Sequence, residues 1–151
     1  MYDCAQGGSR PGVKMERLPG NGMSLGDYVS AFTKGEIEYE PLASIFRATQ
    51  EVLECLHERV GVVHGDLHAD NILVSYEQDG WKAYIIDVAQ SLVANDSVQE
   101  LAMFDQYGAY GVSLIEEASP SLDMTRLSSE ILSEWGKNKS VAELVDTCFR
   151  P

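Results

Sequence analysis

Apolar residues fall into helical spacing most clearly in the second quarter of the chain. Leu42, Ile45, Phe46, Val52, Leu53 and Leu56, with Thr49 completing the stripe, recur at steps of three and four. One face is therefore apolar over about four turns. Pro41 suits a first turn, because its fixed φ fits and its missing N–H would be unpaired there anyway. Gly61 can adopt the left-handed conformation that closes a helix. The spacing thus predicts a helix over 41–60. Beyond it the period changes to that of strands, at Ile72–Tyr76 and Trp81–Ile86, and Glu77-Gln78-Asp79-Gly80 between them is a hairpin signal.

Capping patterns place the remaining elements. Ser24 with Asp27 three residues on marks the start of a short helix. Ser97-Val98-Gln99-Glu100 opens a long helix to about 117, which Ser119-Pro120 stops. A third helix is predicted over Met124–Trp135, ending at Gly136, and a last one capped by Ser140 with Glu143 and ending near Phe149. Upstream, 13–18 reads as a short strand and 2–12 as glycine- and proline-rich loop. The sum is an α+β chain, mostly helical, with one small β-hairpin inserted between helices.

Composition narrows the function classes. The 151 residues make one domain by the usual size relation, enough for a real core. A net charge of −13 argues against non-specific binding to nucleic acid or an anionic membrane, since phosphates would be repelled. No stretch is apolar enough for a membrane span, and no signal-peptide core precedes the first elements. Cys4, Cys55 and Cys148 form neither a disulfide framework nor a zinc spacing, so a reducing cytoplasm is the expected setting.

The densest chemistry lies at Val63-His64-Gly65-Asp66-Leu67-His68-Ala69-Asp70-Asn71-Ile72-Leu73-Val74, with Ile85-Ile86-Asp87 closing the hairpin. Phosphoryl transfer from ATP needs a carboxylate at the acceptor oxygen and hard oxygen ligands for magnesium. Asp66 and Asn71, five apart across a loop leading into a strand, can turn into one pocket. Asp87 returns to the same edge at the end of the next strand. Taken alone, the Asp66–Asn71 pair also reads as a turn aspartate and a strand-capping asparagine.

The whole string resembles the catalytic loop and metal-binding aspartate of the protein-kinase-like superfamily. The resemblance implies a kinase-like C-terminal lobe in which the helix at 41–60 precedes the catalytic loop. Val13-Lys14-Met15-Glu16-Arg17-Leu18-Pro19-Gly20 is similar to the hinge. Met15 would then be the gatekeeper, the backbone of Glu16 and Leu18 would meet the adenine edge, and Leu73 would lie beneath the ring. Ile86-Asp87-Val88-Ala89-Gln90-Ser91, followed by only a short connection to the next helix, resembles the RIO-type atypical kinases. Asp105 fits an aspartate often found in that following helix. His68 instead resembles the aminoglycoside and choline phosphotransferases. On this resemblance Asp66 is the catalytic aspartate, Asn71 and Asp87 hold Mg2+, and His68 faces the phosphates or the acceptor. The aspartate matching Asp87 can also receive the phosphoryl group in RIO-type enzymes. His64 braces the loop, Asp70 is solvated or capping, and His57 is inert on the polar side of its helix. The acids Glu116, Glu117 and Asp123 offer a surface for a cationic aminoglycoside, but read rather as solvated helix ends.

A kinase also needs a glycine-rich loop, a strand lysine and its helical glutamate. Gly7-Gly8-Ser9 is too short and too near the hinge for the first, and Lys14 belongs to the hinge strand. The expected division is a flexible segment over 1–12 and a large lobe over 13–151, with its hinge at 13–20 and the small lobe absent. A fragment of a larger kinase is the leading explanation. A natural large-lobe module and a lobe completed by a partner chain are the others. The expected activity is ATP-dependent phosphoryl transfer to a protein Ser/Thr, or ATP hydrolysis. The alternatives are a small-molecule phosphotransferase and a catalytically silent interaction module. ATP and Mg2+ are the expected cofactors.

Overall fold

The apolar stripe of the long central helix organises the fold. In a computed structural model describing residues 22–78, 80–87, 92–93 and 120–150, it forms α2 (Tyr39–Glu54), two residues longer at its start than Pro41 suggests. Leu42, Ile45, Phe46 and Leu53 are fully buried or nearly so, as the period requires. Thr49 is buried as well and donates its hydroxyl to the Ile45 carbonyl at 2.9 Å, so it joins the stripe without an unpaired polar group. The last turn widens into a π-helical segment, Cys55–Val60, and Gly61 closes it at φ 74°.

Before α2 come β1 (Met23–Ser24) and α1 (Leu25–Thr33). The expected capping box opens α1: the Asp27 N–H donates to the Ser24 hydroxyl at 3.1 Å, and the Ser24 N–H to the Asp27 carboxylate at 3.4 Å. After Gly61 come β2 (Val62–Val63), a 3-10 turn (Ala69–Asn71), β3 (Ile72–Glu77) and β4 (Gly80–Ile85). The β3–β4 hairpin runs antiparallel from Ile72↔Ile85 to Glu77↔Gly80, where the turn was expected. β1 adds to β3 antiparallel through Ser24↔Leu73, making a sheet of order β1-β3-β4. The backbone of β5 (Leu92–Val93) pairs antiparallel with β2.

Two helices close the described part. α3 spans Pro120–Trp135, starting four residues before the expected Met124, because Pro120 serves as a first-turn proline. α4 spans Lys139–Cys148 and is capped by Asn138, whose side chain accepts from the Val141 N–H; the expected cap, Ser140, lies inside the helix. The Phe149 ring stacks on Phe46 at 5.0 Å, tying α4 to α2. Burying each of these rings contributes about 1.5–3 kcal/mol. Cys148 is a buried free thiol, its pKa raised by burial, which disfavours the thiolate. The helix expected over 97–117 and the strand at 13–18 lie outside the described residues. Among the described residues, no helix is long and apolar enough to cross a membrane.

Candidate active site

The loop between β2 and β3 is held by its apolar members. Leu67 and Ala69 are buried, while Asp66 and His68 on either side are only half-buried and Asp70 is exposed. Gly65 turns the chain at φ 87°, a conformation open to glycine. α1 passes close by, and a Cβ on Gly26 would stand 3.2 Å from the Asp70 carboxylate and 3.4 Å from Ala69.

Asn71 is the knot of this loop. Its N–H donates to the His68 carbonyl at 2.9 Å, and its carbonyl accepts from the Ile86 N–H at 2.9 Å. The side-chain Nδ2 donates to the Asp66 carbonyl at 2.8 Å and lies 3.1 Å from Nε2 of His68. A carbonyl partner requires a donor there, so the network itself fixes which amide atom is nitrogen. With Nδ2 spent, Oδ1 of this 6%-exposed side chain takes no hydrogen bond among the described residues. The hydrogen bond to Ile86 continues the hairpin ladder one step beyond β4, and Asp87 follows directly in the chain. Asp87 is exposed and has φ 58°, the one non-glycine residue with positive φ among those described. Such a backbone costs on the order of 1–3 kcal/mol and concentrates at functional positions.

His64, fully buried, joins the two halves. Its Nε2 lies 2.8 Å from the Ile86 carbonyl, and its Nδ1 accepts from the Asp66 N–H at 3.2 Å. These partners define the tautomer, with the proton on Nε2. The bracing expected of His64 is thus visible as two hydrogen bonds.

The loop rests on three side chains of α3. Asp123 is fully buried; its Oδ2 accepts from the His64 N–H at 2.7 Å and its Oδ1 from the Gly65 N–H at 3.0 Å. Nε2 of His57 lies 2.8 Å from the same Oδ2. Arg126 donates to the Gly65 carbonyl at 2.8 Å, and both oxygens of Glu130 accept from the Ala69 N–H at 3.1 Å. Burial raises the Glu130 pKa; the Ala69 N–H and nearby His68 oppose that rise, while Asp70 and Glu134 add to it.

Two sequence expectations are corrected here. Asp123 is no solvated helix end, and His57 is not idle on a polar face. A signal for Asp123 was available, since it falls at steps of four with the buried Leu127 and Ile131 and so belongs to the inward stripe. His57 follows Leu53 by four residues, at the edge of the α2 stripe. Asp105, the aspartate matched to the following helix, lies outside the described residues, as do the hinge residues Met15, Glu16 and Leu18. Leu73 is half-buried in β3, opposite Ser24 and Tyr84.

Asn71 and Asp87 offer an amide oxygen and a carboxylate, hard donors that suit Mg2+, which keeps several waters and takes its remaining ligands from phosphates. Among the described residues no three His, Cys, Asp or Glu side chains gather to bind a metal by themselves. The donor set thus fits an ion brought in with a nucleotide.

A mostly helical lobe carrying a hairpin entered through this loop has the build of the protein-kinase-like fold. The family model of the RIO domain matches residues 26–105, and the chain belongs to the RIO family of atypical, kinase-like proteins that use ATP. No curated protein gives a significant match to the chain.

Proposed function

We propose that this chain supplies the catalytic loop and metal ligands of an ATP-dependent phosphotransferase acting on protein serine or threonine, or on water. The observation that carries the reading is the orientation of Asn71. Its amide nitrogen is committed to the Asp66 carbonyl, which leaves a buried oxygen with no hydrogen bond among the described residues, and its backbone carbonyl is bonded to Ile86, the residue before Asp87. Asp66 accepts the proton of the attacking hydroxyl and orients its oxygen. Asn71 and Asp87 hold Mg2+, which when bound neutralises charge on the triphosphate. His64 keeps the Asp66 and Asp87 segments in register through its two ring nitrogens. Leu73 contributes a half-buried apolar surface for the adenine, and Met15, Glu16 and Leu18 complete that pocket from the hinge. The small-molecule phosphotransferase reading leans on His68, and the RIO match favours a protein acceptor.

The chain contains no glycine-rich loop or strand lysine to hold the phosphates, so its own affinity for Mg·ATP is weak, with a Kd of about 1 mM, or ~−4 kcal/mol. Calorimetry on the wild type, Asp87→Ala and Asp66→Ala tests both parts. The expected result is weak, magnesium-dependent binding that Asp87→Ala abolishes and Asp66→Ala spares. Micromolar binding, or magnesium dependence that survives Asp87→Ala, contradicts the reading.

A further inference from the structure

An open groove of about 770 Å³ lies between the outer stripe of α2 and the turn end of the β3–β4 hairpin. None of its lining residues belongs to the loop at 64–71 or to Asp87. One wall is a helical stripe at steps of three and four, including Glu40, Arg47 and Glu51. The other is the aromatic pair Tyr76 and Trp81, partners across the hairpin with ring centroids 5.0 Å apart and planes at 67°. Trp81 is anchored from beneath by an edge-on contact to the buried Tyr28 at 5.5 Å. Tyr76 is 69% exposed, the most exposed large apolar side chain among the described residues. Glu40 and Glu51 have no ion-pair or hydrogen-bond partner among the described residues.

We propose that this groove docks an extended, arginine-bearing segment of a partner protein. A guanidinium is the group that fits both walls. It stacks on aromatic faces and forks its N–H donors onto carboxylates. A corner of two rings facing two unpaired glutamates offers both kinds of contact within one groove. Arg47, whose guanidinium donates to the Ser44 hydroxyl at 3.2 Å, keeps further N–H groups for carbonyls of an extended backbone. A net charge of −13 draws cationic segments in and repels nucleic acids and anionic membranes. The rigid Trp81 needs no rearrangement on binding, and immobilising Tyr76 orders few rotatable bonds.

The test is fluorescence anisotropy with a labelled dodecapeptide of alternating arginine and leucine, using its glutamate-leucine counterpart as reference. The wild type should bind the arginine peptide saturably and the glutamate peptide not at all. Tyr76→Ala, and separately the double change Glu40→Gln/Glu51→Gln, should each weaken binding by roughly tenfold. Glu58→Gln/Glu143→Gln removes the same charge from exposed positions outside the groove and should stay within about twofold. All four glutamates and Tyr76 are exposed, so the variants keep the fold, which circular dichroism verifies. Absence of saturable binding overturns the proposal. So does equal weakening by groove and control variants, which would mean attraction to net charge alone, and so does binding that neither groove variant alters.

Discussion

Asp123 holds the loop from outside it, through three contacts made by one side chain. One buried carboxylate takes the N–H groups of His64 and Gly65 and a ring nitrogen of His57, leaving little of its acceptor capacity idle. Asp123→Asn would replace an acceptor oxygen by an amide group that faces a donor. The expected cost is about 3 kcal/mol, read as a lower urea midpoint with unchanged slope. A loss under about 1 kcal/mol would contradict the role given to Asp123. Glu130 behaves differently because burial raises its pKa. The folded chain then binds this proton more tightly than the unfolded chain does. Stability is therefore fuller while the carboxyl is protonated, and falls as pH climbs from the ordinary glutamate value through the raised one. Glu130→Gln should remove that fall, visible in urea unfolding as pH rises above the ordinary glutamate range, while one side-chain oxygen still meets the Ala69 N–H. A pH slope identical to wild type would count against it. Asp66, Asn71 and Asp87 stand out in the sequence as a string, whereas Asp123 stands 59 residues from His64. Only its place in an apolar stripe hints that it turns inward.

Among the elements, the long stripe of α2, the Ser24–Asp27 box and the tight turn between Glu77 and Gly80 are local signals, and each forms where its pattern lies. What local patterns miss is set by neighbours in space. β1 has two residues and no period of its own; it exists because Ser24 and Met23 meet β3. At the start of α4 both Asn138 and Ser140 can cap, and the choice falls to Asn138 because its oxygen reaches the Val141 N–H at 3.2 Å. Nothing in the stripe foretells the π-helical turn at Cys55–Val60, which ends where Gly61 takes a left-handed conformation. Gly61→Ala places a Cβ in open space, with nothing within 4 Å, so its penalty is backbone strain alone. Thermal unfolding should report a loss of about 1 kcal/mol. A neutral or stabilising effect would mean that the π-helical turn relaxes without cost.

At the scale of the molecule, α2, α3 and the hairpin converge on one short loop, and that convergence is what turns a polar string into a site. The RIO match covers α1, α2, the loop and the hairpin, while α3, which holds the loop from beneath, lies beyond it. The kinase-like reading was legible because the loop and its aspartate sit within one continuous stretch, closed by a hairpin whose register is local. The supporting floor was not, because its residues arrive from a distant helix. On the proposed function, Asn71 and Asp87 receive the metal of Mg·ATP. Paramagnetic broadening by Mn2+ in amide-resolved NMR tests it, comparing Mn2+ alone with Mn2+ plus ATP to remove weak binding to the acidic surface. ATP-dependent broadening should centre on Asp66–Ile72 and on Ile86 and Asp87, and Asp87→Ala should abolish it. Broadening centred elsewhere, or unchanged in Asp87→Ala, would contradict the account.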